Sequence, residues 1–417
     1  MSSKPRLYTL VLACLVGLLL AFYLITIDSF SYYPEGSDFG KFYMSSKFLL
    51  EGKDIYTPIP LGSLQSRPKD FMKKLGLTRD TLHPNLNPPF QTLLITPLAW
   101  LEYRSAFWVW SLLSLACGVG GAVLVLRESI QQRPGPVLIL GAAGLILAYF
   151  PTWATIIFGQ FSLYVLLLLA IAWIAARRGN DRTAGLALGL AASLKIFTGL
   201  FIIFFAARRR WRLLAWLLAA FAACDLTGLL VMGPATYASY HQVLSSVTWY
   251  AASWNASLMG FFSRIFGGSE NIPLWNLPWL GRALTGGISL LLLVALIWQA
   301  RPRGVETGPD QFDLGFSLTI PLMFLISPLG WMYYFPALLI PAAVAWRISS
   351  QGPARRWDKP ILGLAWVLSS VPHLLMRSAE LNRPVHWFTW AGYYFYALLL
   401  FTGLLLWMSR RLTKAAT

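Results

Sequence analysis

Along this chain, long uninterrupted apolar runs are separated by short basic stretches. Crossing a hydrocarbon core about 30 Å thick takes roughly 20 apolar residues in a helix. Windows of that kind fall at 7–27, 105–126, 137–156, 161–176, 213–231, 283–300, 313–329, 331–347, 360–377 and 391–408, which predicts ten full spans. The runs are continuous and lack the apolar-out, polar-in alternation of barrel strands. The expected fold is therefore an all-α, polytopic membrane protein. The segment Pro88 to Leu101 is apolar but too short to cross, so it is read as an interfacial or re-entrant piece.

One further run, Ala184 to Phe205, is long enough to cross, but it has basic clusters at both ends. Arg177, Arg178 and Arg182 precede it, and Arg208, Arg209, Arg210 and Arg212 follow it. A single crossing would place one cluster outside, against the positive-inside rule, so a re-entrant helical hairpin is predicted. Ser193, Lys195, Thr198 and Gly199 interrupt the run at its middle, where irregular backbone is expected. With the hairpin in place every short cytoplasmic loop is basic, and both termini are cytoplasmic. Two long segments, 28–104 and 232–282, then face the extracytoplasmic side of the plasma (inner) membrane. The chain reads as one membrane domain over 1–417, with the first segment as a catalytic loop and the second on the donor and acceptor side.

Composition agrees. Of 417 residues 57% are hydrophobic and 12% charged, against about 25% charged in a soluble domain. The net charge of +17 would suggest nucleic acid in a soluble protein. Here the basic residues sit at helix ends, where they orient the helices and meet anionic lipid. Cys14, Cys117 and Cys224 lie inside apolar runs at no metal-ligand spacing. The first run, from Leu7 to Ile27, is too long for a cleavable signal and is read as a retained helix. No repeat period is visible.

Candidate chemistry lies in the external segments and the hairpin. Phe39, Phe42, Tyr43, Ser46, Leu49 and Leu50 follow a helical spacing after Ser37-Asp38, so this stretch is read as an interfacial amphipathic helix. Asp38 is either a carboxylate favouring the helix N-terminus or a general base whose pKa is raised by burial against aromatics. An ammonium at membrane depth costs at least about 2.5 kcal/mol and is usually paired or functional. Lys195 therefore either meets a lipid phosphate or pairs with Asp225. Gly159-Gln160 sits at an external helix junction, where the amide meets a sugar or a backbone. In the second segment Trp249, Tyr250, Trp254, Asn255 and Arg264 suit a sugar phosphate or an interfacial aromatic belt, and Asn255-Ala256-Ser257 also fits a glycosylation acceptor. His83, His241, His373 and His386 have no H-x-x-x-H spacing, and no D-x-D faces outside, so neither a metal nor another cofactor is expected.

These residues resemble the polyprenol-phosphate-mannose-dependent mannosyltransferases of glycosyltransferase family 87, within the GT-C superfamily. The first motif reads Asp38-Phe39, Phe42-Tyr43, Ser45-Ser46, Leu50, Gly52, Asp54 and Tyr56, and the second Asn87-Pro88-Pro89 with Leu93, Leu94, Pro97 and Leu98. Gly159-Gln160-Phe161-Ser162, then Ala184-Gly185, Gly189 and Lys195, resemble the family's later motifs. The resemblance implies a GT-C-type fold with ten spans, the re-entrant hairpin and interfacial helices in the first external loop. It also implies hexosyl transfer, with mannose the expected sugar, from a polyprenyl phosphate sugar to a lipid-linked or extracytoplasmic glycan, with inversion. Asp38 falls at the position of the base, and Lys195 and Arg264 fall where the donor phosphate is held. Gln160, Asn255, Tyr43, Trp331 and Tyr333 are the further substrate contacts expected. The chain departs from relatives in Asn255-Ala256-Ser257 before Gly260, where they often read Asn-Gln-Ser before a glycine. It departs again in Met332, Tyr333 and Tyr334, where they often carry histidines. The alternative class is a lipid-glycan flippase without chemistry, disfavoured by the long acid-bearing loop and the absent inverted repeat.

Overall fold

A computed structural model describes residues 4–59, 84–131, 135–269, 273–302, 308–351, 356–372 and 392–416. His83, His373, His386, Arg303, Arg355 and the end of the 360–377 span lie outside them. Regular structure among the described residues is helical, apart from an isolated bridge between Asn255 and Trp331.

The first membrane helix is α1 (Lys4–Phe30), followed by the largely buried α2 (Asp38–Leu50) and the short α3 (Pro89–Ile95), which continues as a 3-10 turn over Thr96–Trp100. Then come α4 (Tyr103–Ile130), α5 (Pro136–Leu147), α6 (Phe150–Phe158) and α7 (Ser162–Arg177). The predicted span at 137–156 is thus α5 plus α6, bent by 68°. The stretch read as a hairpin follows as α8 (Asp181–Leu194), an extended Lys195, a 3-10 turn at Ile196–Leu200 and α9 (Phe201–Ala207). The helix breaks at Lys195, between the 14 residues of α8 and the apolar helical stretch Ile196–Ala207. The rest is α10 (Trp211–Met232), α11 (Pro234–Ser245), α12 (Leu258–Phe266), α13 (Pro278–Ala300), α14 (Pro309–Ile326), α15 (Leu339–Gln351), α16 (Asp358–Ser370) and α17 (Tyr393–Ala416). A 3-10 turn at Met332–Leu338 leads into α15.

Among the described residues five helices are long and apolar enough to cross a membrane, or six if the bent pair counts as one span. They are α1, α4, α10, α13 and α17. Leu18, Leu230 and Leu291 each leave more than 60% of their surface uncovered, an arrangement a hydrocarbon solvent favours and water would not. This is an integral membrane protein.

Small residues let α8 pack tightly. A Cβ on Gly185 would lie 2.5 Å from the Leu213 carbonyl oxygen, and one on Gly189 would lie 2.4 Å from that of Leu217. These two glycines, one helical turn apart, allow α8 to touch the backbone of α10, the small-xxx-small contact by which membrane helices associate. At the Arg177 end of α7, a buried charge network ties four helices together. Arg347 (α15) bonds Asp313 (2.6 Å) and Asp310 (2.8 Å) of α14, while Arg177 (α7) bonds Glu128 (α4) at 2.8 Å. Trp173 Nε1 donates to the remaining Asp313 oxygen at 2.8 Å. Removing one partner would leave a buried charge uncompensated, the costly kind of loss.

Candidate active site

Helix α2 begins at Asp38 because Ser37 caps it, its Oγ accepting from the Phe39 N–H at 3.1 Å. Asp38 therefore stands at the first helical position, which favours a carboxylate. Its oxygens, however, are held by other side chains. Oδ1 accepts from Lys41 Nζ at 2.6 Å, one turn on, and Oδ2 accepts from Gln160 Nε2 at 2.6 Å. The other amide atom of Gln160, Oε1, is buried and makes no hydrogen bond among the described residues. In a fold where buried polar atoms are paired, such an atom marks a place where a polar partner fits.

The sequence reading had Asp38 raised by burial; its pKa is instead lowered. Burial does push it up, but the charge of Lys41, the hydrogen bonds from Lys41 and Gln160, and the charge of Lys195 outweigh that effect. A carboxylate with a lowered folded pKa stabilises the fold above its unfolded pKa and loses that contribution as pH falls through the folded value. Asp38 is therefore ionised at neutral pH.

The wall behind it is aromatic. Phe39 is fully buried against Trp110, Phe107 and Tyr103, with ring centroids 5.7–5.8 Å away. It also touches Gly159, whose φ is +63° and where a Cβ would fall 2.4 Å from that of Phe39. Only glycine suits both the left-handed turn that ends α6 and this contact. Gly52 also has positive φ (+68°) but nothing within 4 Å of a Cβ. Gly52→Ala should therefore cost only the conformational penalty of about 1 kcal/mol, and Gly159→Ala distinctly more. Thermal unfolding in detergent checks this, and equal midpoints would show that the close approach is unimportant.

Lys195 is 8% exposed and ends α8 in an extended conformation. Its Nζ donates to Asn87 Oδ1 at 2.9 Å and lies 5.2 Å from the centre of the Tyr334 ring. It goes to the Asn87-Pro88-Pro89 motif rather than to Asp225, so the pairing open in the sequence does not form. Gln91 Nε2, on α3, donates to the carbonyl of Leu194, fixing the backbone beside Lys195. Tyr333 and Tyr334 pack edge to face at 4.9 Å, and both feel the charge of Asp38. Asp38, Lys41, Gln160, Asn87, Lys195, Tyr333 and Tyr334 thus share one region.

The segment 232–282 joins this region at one remove. Asn255 is fully buried: Nδ2 donates to the Tyr250 (2.9 Å) and Pro328 (3.0 Å) carbonyls, and Oδ1 accepts from the Ser257 and Gly330 N–H groups. It serves as a loop fastener, and in this fold its side chain is sealed away from a glycosylating enzyme. Arg264, 1% exposed, donates to the Ala252 (3.1 Å) and Asn255 (3.0 Å) carbonyls. Burial pulls its pKa down to about 10, with Tyr396 opposing, so it remains cationic at neutral pH. Trp331 bridges to Asn255 through the backbone, and its ring centre lies 6.4 Å from that of Tyr333. Tyr43 is buried in α2, and its hydroxyl donates to the Leu101 carbonyl at 2.7 Å, so that group fastens α2 to the turn after α3.

The sequence profile of glycosyltransferase family 87 matches residues 85–328, more than half of the chain. The chain belongs to glycosyltransferase family 87. Among curated proteins, it is 26% identical to the polyprenol-phosphate-mannose-dependent alpha-(1-2)-phosphatidylinositol mannoside mannosyltransferase of Mycobacterium tuberculosis, over 82% of this chain and 79% of that one. It is 27% identical to the corresponding pentamannoside mannosyltransferase of Mycolicibacterium smegmatis, over 76% of this chain and 74% of the relative. Among solved structures, ArnT from Cupriavidus metallidurans bound to undecaprenyl phosphate aligns over 95% of this chain and 76% of its own, with 18% identity and a TM-score of 0.43.

Of the candidate site residues, Gln160, Lys195, Asn255 and Arg264 fall inside the matched segment and Asp38 precedes it. Sequence reasoning missed Lys41, although its i, i+3 spacing from Asp38 on a helix was a usable signal. It quoted Asn87 only as part of a motif and gave it no partner.

Proposed function

We propose that this family-87 glycosyltransferase transfers mannose from a polyprenyl phosphate sugar to a glycolipid acceptor, with Asp38 as general base. The observation that carries the reading is the juxtaposition of an ionised carboxylate, held by Lys41 and Gln160, with the buried cation Lys195. The names of the mycobacterial relatives supply the donor and acceptor classes.

The acceptor hydroxyl attacks the anomeric carbon as the bond from that carbon to the carrier phosphate breaks. The transition state resembles an oxocarbenium ion, and the attacking hydroxyl becomes strongly acidic only as its new bond forms. A carboxylate of low pKa is a sufficient base at that stage. Attack from the face opposite the phosphate gives inversion. Lys195 stabilises the charge developing on the leaving phosphate in a site from which water is largely excluded, with Arg264 a second cation on the donor side. Gln160, through its open Oε1, and Tyr333 and Trp331 are the sugar-facing groups in this reading. The amide of Asn255 and the hydroxyl of Tyr43 serve to fix the loops that carry the site.

The accompanying topology is the GT-C-type arrangement of ten spans, with α8, Lys195 and α9 forming the re-entrant hairpin. Both termini are cytoplasmic, and the segments 28–104 and 232–282 carry the site on the extracytoplasmic side of the plasma membrane. Cysteine labelling beside Arg182 and Arg209 tests it: both positions should label from the cytoplasm, and labelling from opposite sides would make the hairpin a crossing.

The activity is tested by incubating the purified protein with polyprenyl phosphate mannose and a phosphatidylinositol mannoside. A product one mannose heavier is expected, and none with any glycolipid acceptor would defeat the reading. The acid limb of kcat/KM should lie below the usual carboxylate range of about 4. Lys41→Met removes the leading influence that lowers the Asp38 pKa, so that limb should move to higher pH. An unmoved limb would mean that another group titrates.

A further inference from the structure

Lys195 is held by a chain of neutral groups with a fixed direction. Ser45 Oγ donates to the Ile55 carbonyl at 2.8 Å, and a carbonyl can only accept. The Ser45 oxygen therefore has its lone pairs toward Asn85, whose Nδ2 donates to it at 3.1 Å. Asn85 Oδ1 in turn accepts both the Asn87 Nδ2 (2.9 Å) and the Asn87 backbone N–H (3.0 Å). With its NH2 committed, Asn87 presents Oδ1 to the Lys195 ammonium. Every side chain in this chain is at least nine-tenths buried, so no link is exchanged freely with water.

Two consequences follow. A buried ammonium could be held by a carboxylate, which would cancel its charge, or by a neutral acceptor, which leaves that charge intact. Here the acceptor is an amide, and among the described residues no carboxylate bonds Lys195. Moreover, Ser45 lies seven residues, about two helical turns, after Asp38 on α2, so both fall on nearly the same face. One short helix therefore carries the carboxylate and anchors the chain that sets the cation.

Resting on the donor-phosphate role of Lys195 given above, we propose that Asn87, Asn85 and Ser45 are positioning residues that present Lys195 to the carrier phosphate as an oriented cation with no directly bonded carboxylate, in register with Asp38. Asn87→Asp places a carboxylate against the ammonium and sets an acceptor oxygen against Asn85 Oδ1, so the phosphate must then displace an ion pair. Asn87→Ala leaves the charge but loses the orientation, and Ser45→Ala cuts the chain at its far end.

The test is binding of a short polyprenyl phosphate, and of the matching neutral polyprenol, to the purified full-length variants, together with donor KM and kcat. Asn87→Asp should weaken polyprenyl phosphate binding about tenfold or more, close to Lys195→Met, with Asn87→Ala and Ser45→Ala intermediate and polyprenol binding unchanged throughout. Donor KM should rise in proportion, whereas a merely structural lesion would lower the active fraction and leave KM alone. Wild-type phosphate affinity in Asn87→Asp would overturn the proposal, or, if that variant does not fold, wild-type donor KM in Ser45→Ala. If the wild-type protein binds polyprenyl phosphate no better than polyprenol, the donor reading itself falls, and this proposal with it.

Discussion

Replacing Asp38 by Asn should lower the transfer rate by about 10²–10⁴-fold while donor lipid still binds. Asparagine keeps the shape, and its oxygen can still accept from Gln160 or Lys41, but its NH2 group then faces the other donor. The loss of the base is thus accompanied by release of one partner. The wall behind it should persist, because Phe39 is locked among Trp110, Phe107 and Tyr103 regardless of its neighbour. Transfer rate and polyprenyl phosphate binding, measured on the same preparation, separate the two effects. Full activity in Asp38→Asn would remove Asp38 as the base and leave it the helix-terminus carboxylate that its place after Ser37 also allows.

Lys195→Met should fail differently, with donor affinity and turnover falling together. Methionine keeps much of the length and is tolerated in apolar surroundings, but it removes the cation from a site of low dielectric, where charge pairing with phosphate is strongest. It also leaves Asn87 Oδ1 buried without its donor, a cost of about 1–3 kcal/mol that should appear as a lower thermal midpoint. Donor KM, kcat and the midpoint together distinguish the roles: a lower midpoint with unchanged donor affinity would make Lys195 a structural lysine.

The helical membrane architecture was legible because apolar length and arginine placement are local properties of the sequence. The break at Lys195 was legible for the same reason, since polar residues interrupt an apolar run just there. Asp38 at the start of a helix could be read from Ser37 and the aromatic spacing after it. Its pKa was misread because Lys41, the leading lowering influence, was overlooked one turn on, and because Gln160 reaches it from a helix junction 122 residues away. The partner of Lys195 was missed similarly: hydropathy offered Asp225, another polar residue in an apolar run, whereas the fold brings Asn87 from 108 positions away. Asn255 was read as a sugar contact or a glycosylation acceptor because its burial depends on the turn at Pro328 and Gly330, far along the chain. Only Lys41 lay within local reach, one turn from Asp38.

The most direct test of the account follows both halves of the donor. A polyprenyl phosphate mannose labelled separately in sugar and carrier would be given, with a glycolipid acceptor, to the protein reconstituted in proteoliposomes. The account predicts that the labels part, the sugar passing to the acceptor and the carrier remaining as polyprenyl phosphate, and that they stay together with Asp38→Asn. Movement of both labels across the bilayer as one molecule, equally fast in the wild type and in Asp38→Asn, would contradict it and make the protein a carrier of lipid-linked sugar.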